Sequence, residues 1–322
     1  MRGGIDLGGT KIEAVVVEDE GRVIGQARHV TPSSGGLEAV AEEMAETMRQ
    51  AAAEAGMEPS KLRGVGIGSP GTVDSKAGTV AEAANLPGWE DAFPLAATLA
   101  KALGTRVKLG NDVGVAVEAE AALGAGRPFR SFLGLWWGTG VGGAIVSGGK
   151  RWLGRGAAGE LGHTVVKLGG ARCPCGRRGC LEAYAGRAAL ERRVRRAQRR
   201  GEKTKLYRIM KKKGHTRLTS GVWQEALEQH DRVAEVLIER AIEALGAGAA
   251  SVVNLLDVEA VVVGGGLGTR LGEVAVERIR LAMQPHLFRP DAAPDLRGAE
   301  VGDLGGAIGA ARLIRLPRAR AE

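Results

Sequence analysis

The chain has 322 residues, with 45 Lys plus Arg against 37 Asp plus Glu and a formal net charge of +8. That length supports about two domains and a sizeable core without disulfides, and 44% hydrophobic with 25% charged residues argues against wholesale disorder. No run approaches the ~18 uninterrupted apolar residues of a membrane span, and Asp6 interrupts the place where a secretory signal needs its apolar stretch, so a cytoplasmic protein with no membrane partner is expected.

In chain order, residues 3–7 and 11–18 are β-rich and joined by Gly8-Gly9-Thr10, and a turn at Asp19-Glu20-Gly21 leads to a third strand from Arg22 to Val30. Leu37, Val40, Ala41, Met44 and Met48 recur at helical spacing, which predicts a helix from Gly36 to Ala55. A short buried strand, Val65–Gly68, ends in Ser69-Pro70-Gly71. Helix Ala92–Leu103, strand Arg106–Leu109 and helix Val113–Leu123 follow, the last opened by Asn111-Asp112, where Asp112 can serve as N-cap. Strands Phe132–Trp137 and Val141–Val146 flank Gly138-Thr139-Gly140. Helix Arg232–Asn254, strand Ala260–Val263, helix Thr269–Met283 and helix Gly305–Leu316 close the chain. The expectation is α/β with mixed sheets, and the β-rich openings at Gly4 and Phe132 read as the starts of two similar lobes.

Glycine, at 51 residues, is well above the usual ~7% with no collagen period. Scarce Asn and 3% aromatics fit either a thermophile or a GC-rich genome. Three glycine corners stand at strand ends. In Asp6-Leu7-Gly8-Gly9-Thr10-Lys11, glycines let backbone N–H groups approach an anion, Thr10 offers a hydroxyl and Lys11 a charge; Asp6 could hold Mg²⁺ through water. Gly138 to Gly143 matches G-x-G-x-x-G, but Ala144-Ile145-Val146 continues as a strand where a dinucleotide loop would open a helix. Gly264-Gly265-Gly266-Leu267-Gly268 lies between a strand and a helix, where a helix N-terminus could meet a nucleotide. Each corner alone is also what a plain glycine turn looks like. There is no G-x-x-x-x-G-K-[ST], so this is not a P-loop NTPase.

All three cysteines, Cys173, Cys175 and Cys180, lie within eight residues, preceded by His163. Three thiolates and an imidazole make a closed tetrahedral set for structural Zn²⁺, the alternative being three buried free thiols. Glu160 lies three residues before His163 and Glu182 two after Cys180, so a metal knuckle would anchor both carboxylates near one point. With Asn111 and Asp112 they form the kind of acceptor set that grips a polyol, and an Asp placed on a hydroxyl can act as general base.

These residues resemble a known family. DLGGTK (6–11), GSPG (68–71), NLPGW (85–89), ND (111–112), GTGVGG (138–143), GELGH (159–163) and CPCGRRGCLE (173–182) are similar, in this order through most of the chain, to the ROK family of repressors, open reading frames and kinases, and most of all to its ATP-dependent glucokinases. The resemblance implies a two-lobed actin-like ATPase (ribonuclease H-like) fold with a zinc knuckle in the larger lobe, residues 1–117 plus 304–322 forming the small lobe and 118–303 the large one. It implies that Asp112 is the catalytic base and that Gly71, Asn111, Asp112, Glu160, His163 and Glu182 bind sugar, His163 also ligating Zn²⁺ with Cys173, Cys175 and Cys180. ATP and Mg²⁺ would be held by Asp6, Gly8, Gly9, Thr10, Lys11, Gly138, Thr139, Gly140, Gly265, Gly266 and Leu267. The implied activity is phosphorylation of glucose, with N-acetylglucosamine, N-acetylmannosamine, mannose or fructose as alternative sugars and polyphosphate as a rival donor. The family expectation for assembly is a homodimer or homotetramer. A sugar-responsive ROK regulator would carry a helix-turn-helix ahead of its DLGGT-like turn, and Asp6 leaves no room for one.

One segment departs from the pattern. From Arg192 to Arg217 there are 13 basic residues and one acid, Glu202, leaving 32 basic against 36 acidic residues elsewhere. The overall positive charge therefore belongs to this segment. Its helical composition and lack of aromatics for base stacking favour a solvated helix and loop over a nucleic-acid surface.

Overall fold

The computed structural model describes residues 1–83 and 91–315. The NLPGW stretch at 85–89 and the expected last residue of the final helix, Leu316, lie outside them. Two compact units are formed, one from the described parts of Met1–Gly124 and Glu300–Glu322, the other from Ala125–Ala299.

The first unit opens with the expected meander, β1 (Arg2–Leu7), β2 (Lys11–Val17) and β3 (Val23–Val30), paired antiparallel. Helix α1 (Gly36–Glu54) follows and buries Val40, Ala41, Met44, Ala45, Met48 and Ala51 along one stripe, as the 3.6-residue period requires. Strand β4 (Val65–Ser69) joins β1 in parallel, and β5 (Thr72–Asp74) with β6 (Thr79–Ala81) forms a small hairpin that the sequence did not announce. Helix α2 (Leu95–Leu103) begins three residues later than expected, because Pro94 stands at its N-cap and disfavours helical backbone at Phe93. Strand β7 (Val107–Asn111) pairs in parallel with β4 and runs directly into α3 (Asp112–Leu123). The sheet order is β3-β2-β1-β4-β7.

The second unit repeats this plan. β8 (Phe132–Trp137), β9 (Val141–Ser147) and β10 (Lys150–Trp152) make an antiparallel meander. Helices α4 (Glu182–Ala185), α5 (Arg187–Arg199), α6 (Leu206–Lys212), α7 (Ser220–Glu228) and α8 (Arg232–Leu256) follow. Strand β11 (Ala260–Gly264), helix α9 (Gly265–Met283) and strand β12 (Asp295–Gly298) complete it. Here β11 lies parallel to β8 and to β12, giving the order β10-β9-β8-β11-β12, the same arrangement as in the first sheet. The basic segment is anchored rather than simply solvated: Val194, Ala197, Leu206 and Ile209 are buried in the core that contains Trp137, Trp223 and Leu237.

Helix α10 (Gly305–Arg312) returns to the first unit, and glycines set how closely it packs. A Cβ at Gly4 or Gly66 would stand 1.9 or 1.7 Å from the carbonyl oxygens of Ala307 or Ala310, and one at Gly309 would stand 1.8 Å from that of Val115. The chain's return is fastened by Glu120 of α3, which is 2% exposed and accepts from the backbone N–H groups of Glu300 and Val301 at 2.9–3.1 Å. Glu120→Ala would take the acceptor from two part-buried N–H groups. We expect it to lower unfolding free energy by about 1–2 kcal/mol, read as a reduced urea midpoint with an unchanged m-value.

Candidate functional site

In the first unit the ends of three adjacent strands define the site. Register pairs Asp6 of β1 with Gly68 of β4, and Ser69 of β4 with Asn111 of β7, so Asp6, the Gly68–Ser69 step and Asn111 end at one level. Ligand sites in α/β sheets form at such carboxyl ends. A Cβ on Gly68 would lie 3.6 Å from Asp6 Oδ1 and 3.5 Å from the Asp112 Cα, so the glycine keeps the space between the two acids clear. Asn111, not Asp112, caps α3: its Oδ1 accepts from the Gly114 N–H at 3.0 Å, while Asp112 is the first helical residue and its Oδ1 accepts from the Val113 N–H at 2.8 Å. The cap expected at Asp112 thus moves one residue back, because the strand runs through Asn111 with extended backbone and only there is the cap geometry available. A carboxylate in the first turn is favoured by the helix dipole.

Burial raises the Asp6 carboxyl from its ordinary range to about 7; the charges of Asp112 and then Glu13 add to this, and Lys11 opposes it. A carboxyl this uncomfortable as an anion suits a cation as neighbour. Without one, its folded pKa above the unfolded 3.8 means stability is fully present below pH ~4 and is lost as pH rises through about 7. The roughly three-unit difference corresponds to about 4 kcal/mol as an upper figure. Asp6→Asn in metal-free buffer is therefore expected to raise the melting temperature at pH 8 and leave it unchanged at pH 3.5; equal shifts at both values would refute the ionisation account.

The first glycine corner is a closed turn. The Gly8 N–H donates to the Lys11 carbonyl at 2.9 Å, and Thr31 clamps it from β3's end, its hydroxyl donating to the Gly8 carbonyl at 2.7 Å. Gly9 and the Thr10 side chain are exposed, and the Lys11 ammonium sits 2.5 Å from buried Glu13, which Arg28 also pairs. Gly71 has φ +88 and a Cβ there would meet the Ala81 carbonyl at 2.5 Å, so this position takes glycine on both counts.

The second unit carries the other two corners side by side: a Cβ on Gly138 would lie 3.8 Å from the Gly266 nitrogen. Gly138–Gly140 is the β8–β9 hairpin turn, in line with the rejection of a dinucleotide loop. Its carbonyls serve α5, Gly138 and Thr139 accepting from the Arg187 and Ala188 N–H groups at 3.1 and 3.0 Å. Arg187, which the sequence reading did not single out, donates to Thr139 Oγ1 at 2.7 Å and to the Leu218 carbonyl at 3.0 Å. Its guanidinium is held below its ordinary pKa by burial and then by Arg217, with Glu191 opposing. At the third corner the helix starts at Gly265 (φ +82), four residues before the expected Thr269, and breaks at Gly272 (φ +61). Gly265, Gly266 and Leu267 are thus the first turn of α9, with backbone donors that no helical partner takes; the Leu267 side chain is fully buried in the core.

The metal constellation assembles. One donor atom each from His163, Cys173, Cys175 and Cys180 lies within 4.8 Å of all the others. His163 Nδ1 is 3.8 Å from the Cys173 sulfur, and the Cys175 and Cys180 sulfurs are 3.7 Å apart. Zinc–sulfur bonds of ~2.3 Å make tetrahedron edges of about 3.8 Å, so donor types and spacing both fit Zn²⁺. The His163 segment is seated by Gly162, whose Cβ would strike the Val141 carbonyl at 1.9 Å, and is tied to Cys180 through the Val165–Cys180 bridge. Glu160 is exposed, and its carbonyl accepts from the His163 N–H at 3.0 Å. Glu182 lies between the knuckle and the second corner: Oε2 accepts from the Val141 N–H at 3.1 Å, and Oε1 is 4.0 Å from the Cys173 sulfur. A Cβ at Gly140 would come within 2.2 Å of that carboxylate. Of the residues expected to bind sugar, Gly71, Asn111 and Asp112 belong to the first unit and Glu160, His163 and Glu182 to the second.

Two mixed α/β sheets of one strand order, with glycine corners at their strand ends, are the mark of an actin-like ATPase fold. Residues 2–316 match the ROK family, and the chain belongs to it. It is 32% identical over 314 residues to a glucokinase of Thermotoga maritima, covering 97% of this chain and 96% of that one. Among solved structures, a ROK hexokinase from Thermus thermophilus superposes with TM-score 0.79 at 36% identity, covering 96% of both chains. A ROK family glucokinase from Streptomyces griseus in complex with glucose and AMPPNP superposes with TM-score 0.82 at 32% identity, covering 97% and 98%. Among the described residues, no helix is long and apolar enough to cross a membrane.

Proposed function

We propose that the protein is an ATP-dependent hexose kinase that transfers the γ-phosphoryl group to the 6-hydroxyl of glucose. The observation that carries this reading is Asp112: a half-buried carboxylate in the first turn of α3, beside a strand-end asparagine and across a glycine from a second half-buried acid, Asp6. The hydroxyl oxygen attacks phosphorus in line while Asp112 takes its proton. Asn111 and Gly71, with Glu160, His163 and Glu182, hold the sugar's hydroxyls and fix which one faces the phosphate. The glycine corners and Thr10, Lys11, Thr139 and the first turn of α9 hold the nucleotide through backbone donors, two hydroxyls and one ammonium. Asp6 would hold Mg²⁺ through water, and the ion would supply neutralising charge at the phosphates. Zn²⁺ on His163, Cys173, Cys175 and Cys180 would be structural, since four protein ligands leave no open position.

The test is a coupled ADP-release assay over glucose, mannose, fructose, N-acetylglucosamine and N-acetylmannosamine, with ATP and polyphosphate as donors. Glucose with ATP is expected to give the highest kcat/KM. Turnover on none of them would overturn the kinase reading, and a preference for an N-acetylated sugar would reassign the substrate.

A further inference from the structure

The basic segment has a part in none of the chemistry above, yet it builds a cavity. Helices α5 and α8 pack together, and between them lies a cavity of about 650 Å³, walled by Arg193, Arg196, Arg200, Lys203, Arg232 and Arg240. Its floor is apolar, from Ala197, Val233 and Leu237, and Glu202 is the one acid in the lining. Along α5 and its C-cap, Arg200, the guanidinium carriers recur at i, i+3 and i+7; on α8 they stand at i and i+8. At 1.5 Å per residue the two rows are each roughly 10–12 Å long.

These cations are not there to satisfy carboxylates. Glu202 is gripped by Arg200 at 2.7 and 3.0 Å, and among the described residues Arg196, Arg232 and Arg240 make no ion pair. Arg193 is held in place instead: it donates to the Ala183 carbonyl at 3.1 Å and its guanidinium lies 5.0 Å over the Tyr184 ring. Burial keeps it below its ordinary pKa, and Arg240, Arg196 and Arg192 push the same way against Tyr184. Like charges gathered around an open cavity with an apolar floor, with one member pre-oriented, are unfavourable in isolation and favourable around an anion. Guanidinium forks match phosphate oxygens two at a time. The volume is that of a small-ligand pocket, and it offers no free aromatic face for a base, since Tyr184 lies beneath Arg193.

We propose that the α5–α8 cavity is a binding site for a small oligophosphate anion, distinct from the glycine corners. A metabolite bearing two phosphates and the end of an inorganic polyphosphate chain share that chemistry. The test is calorimetric titration of the intact protein with tripolyphosphate, a hexose 1,6-bisphosphate and long-chain polyphosphate, with the glycine corners saturated by ADP and Mg²⁺. One-site binding that weakens with added salt is expected. Each of the exposed-residue variants Arg196→Ala and Arg240→Ala should weaken it by about tenfold or more, in line with loss of a charge-assisted hydrogen bond. Neither change touches the core, and a retained melting temperature checks that. The hexose bisphosphate binding tighter than tripolyphosphate would name the metabolite as occupant; polyphosphate binding tighter per chain would name the polymer. Absence of saturable binding, binding by both variants as tight as by the unsubstituted protein, or a single-stranded oligonucleotide outcompeting all three probes would overturn the proposal. None of these outcomes depends on the kinase assignment, since no turnover is measured.

Discussion

Replacing Asp112 with asparagine is expected to lower kcat by about 10²- to 10⁴-fold, the usual worth of a positioned general base, while the KM for sugar stays within a few-fold. The substitution is close to isosteric, so the Val113 N–H that Asp112 Oδ1 accepts at 2.8 Å keeps an oxygen acceptor, and the Asn111 cap on Gly114 is untouched. What disappears is a proton acceptor and one negative charge. A kcat loss without a matching KM change marks an interaction made in the transition state; a loss confined to KM would instead make Asp112 a sugar ligand only, and near-normal turnover would remove it from the chemistry. The same variant carries an internal check. Asp112 is the second cause, after burial, of Asp6's elevation to about 7, so neutralising Asp112 should bring the Asp6 carboxyl down. Titration by carboxyl-carbon NMR reads this directly, and an unmoved Asp6 would show that the two acids do not share a field.

How much of this was legible from residues alone follows from which physics governed each element. Elements with a plain local signal were read nearly to the residue: the strands of the β1–β3 meander and of β8–β9 are β-rich runs bounded by glycine turns, and helix α1 carries its 3.6-residue stripe in plain view. The β5–β6 hairpin was missed because its strands are three residues long and each turns a single valine, Val73 or Val80, toward the core, too few for a periodicity to show. The start of α9 was placed four residues late because glycine is a poor helix former; there, tertiary packing against Trp137 overrides propensity. The knuckle was readable because four ligands fall within eighteen residues. Glu120 and Arg187 were not, since a lone Glu or Arg on a helix looks the same whether it faces water or fastens a loop 180 residues away. The charge of the basic segment was located correctly, but its alternation of buried Val194 and Ala197 with exposed arginines turns a supposed solvated helix into one wall of a cavity.

The zinc knuckle gives the other large expected effect. Purified protein should hold one Zn²⁺ per chain by elemental analysis, and Cys180→Ser should hold almost none. Cys180 is fully buried, and serine keeps its volume but not a thiolate. Three ionised sulfurs gathered within 4.8 Å of one another repel strongly unless a cation sits among them, so the ion is what makes this arrangement favourable. Structural zinc contributes on the order of 10 kcal/mol or more to the folding of small metal domains. Here that energy falls on a local segment: Cys173 and Cys180 cluster with Ala171, Ala183 and Tyr184, next to Leu181, which is buried in the main core of the second unit. Loss of the ion should therefore release the loop from Lys167 to Gly179 while Leu181 keeps its place in the core, so far-UV circular dichroism is retained while the loop becomes protease-sensitive. Because Glu182 bridges the Cys173 sulfur and the Val141 N–H, its carboxylate should lose its position, and the KM for sugar should rise by at least tenfold with the nucleotide KM little changed. Native protein free of zinc would contradict the knuckle. A zinc-free variant with normal sugar affinity would instead detach Glu182 and His163 from the sugar site while leaving the metal assignment standing.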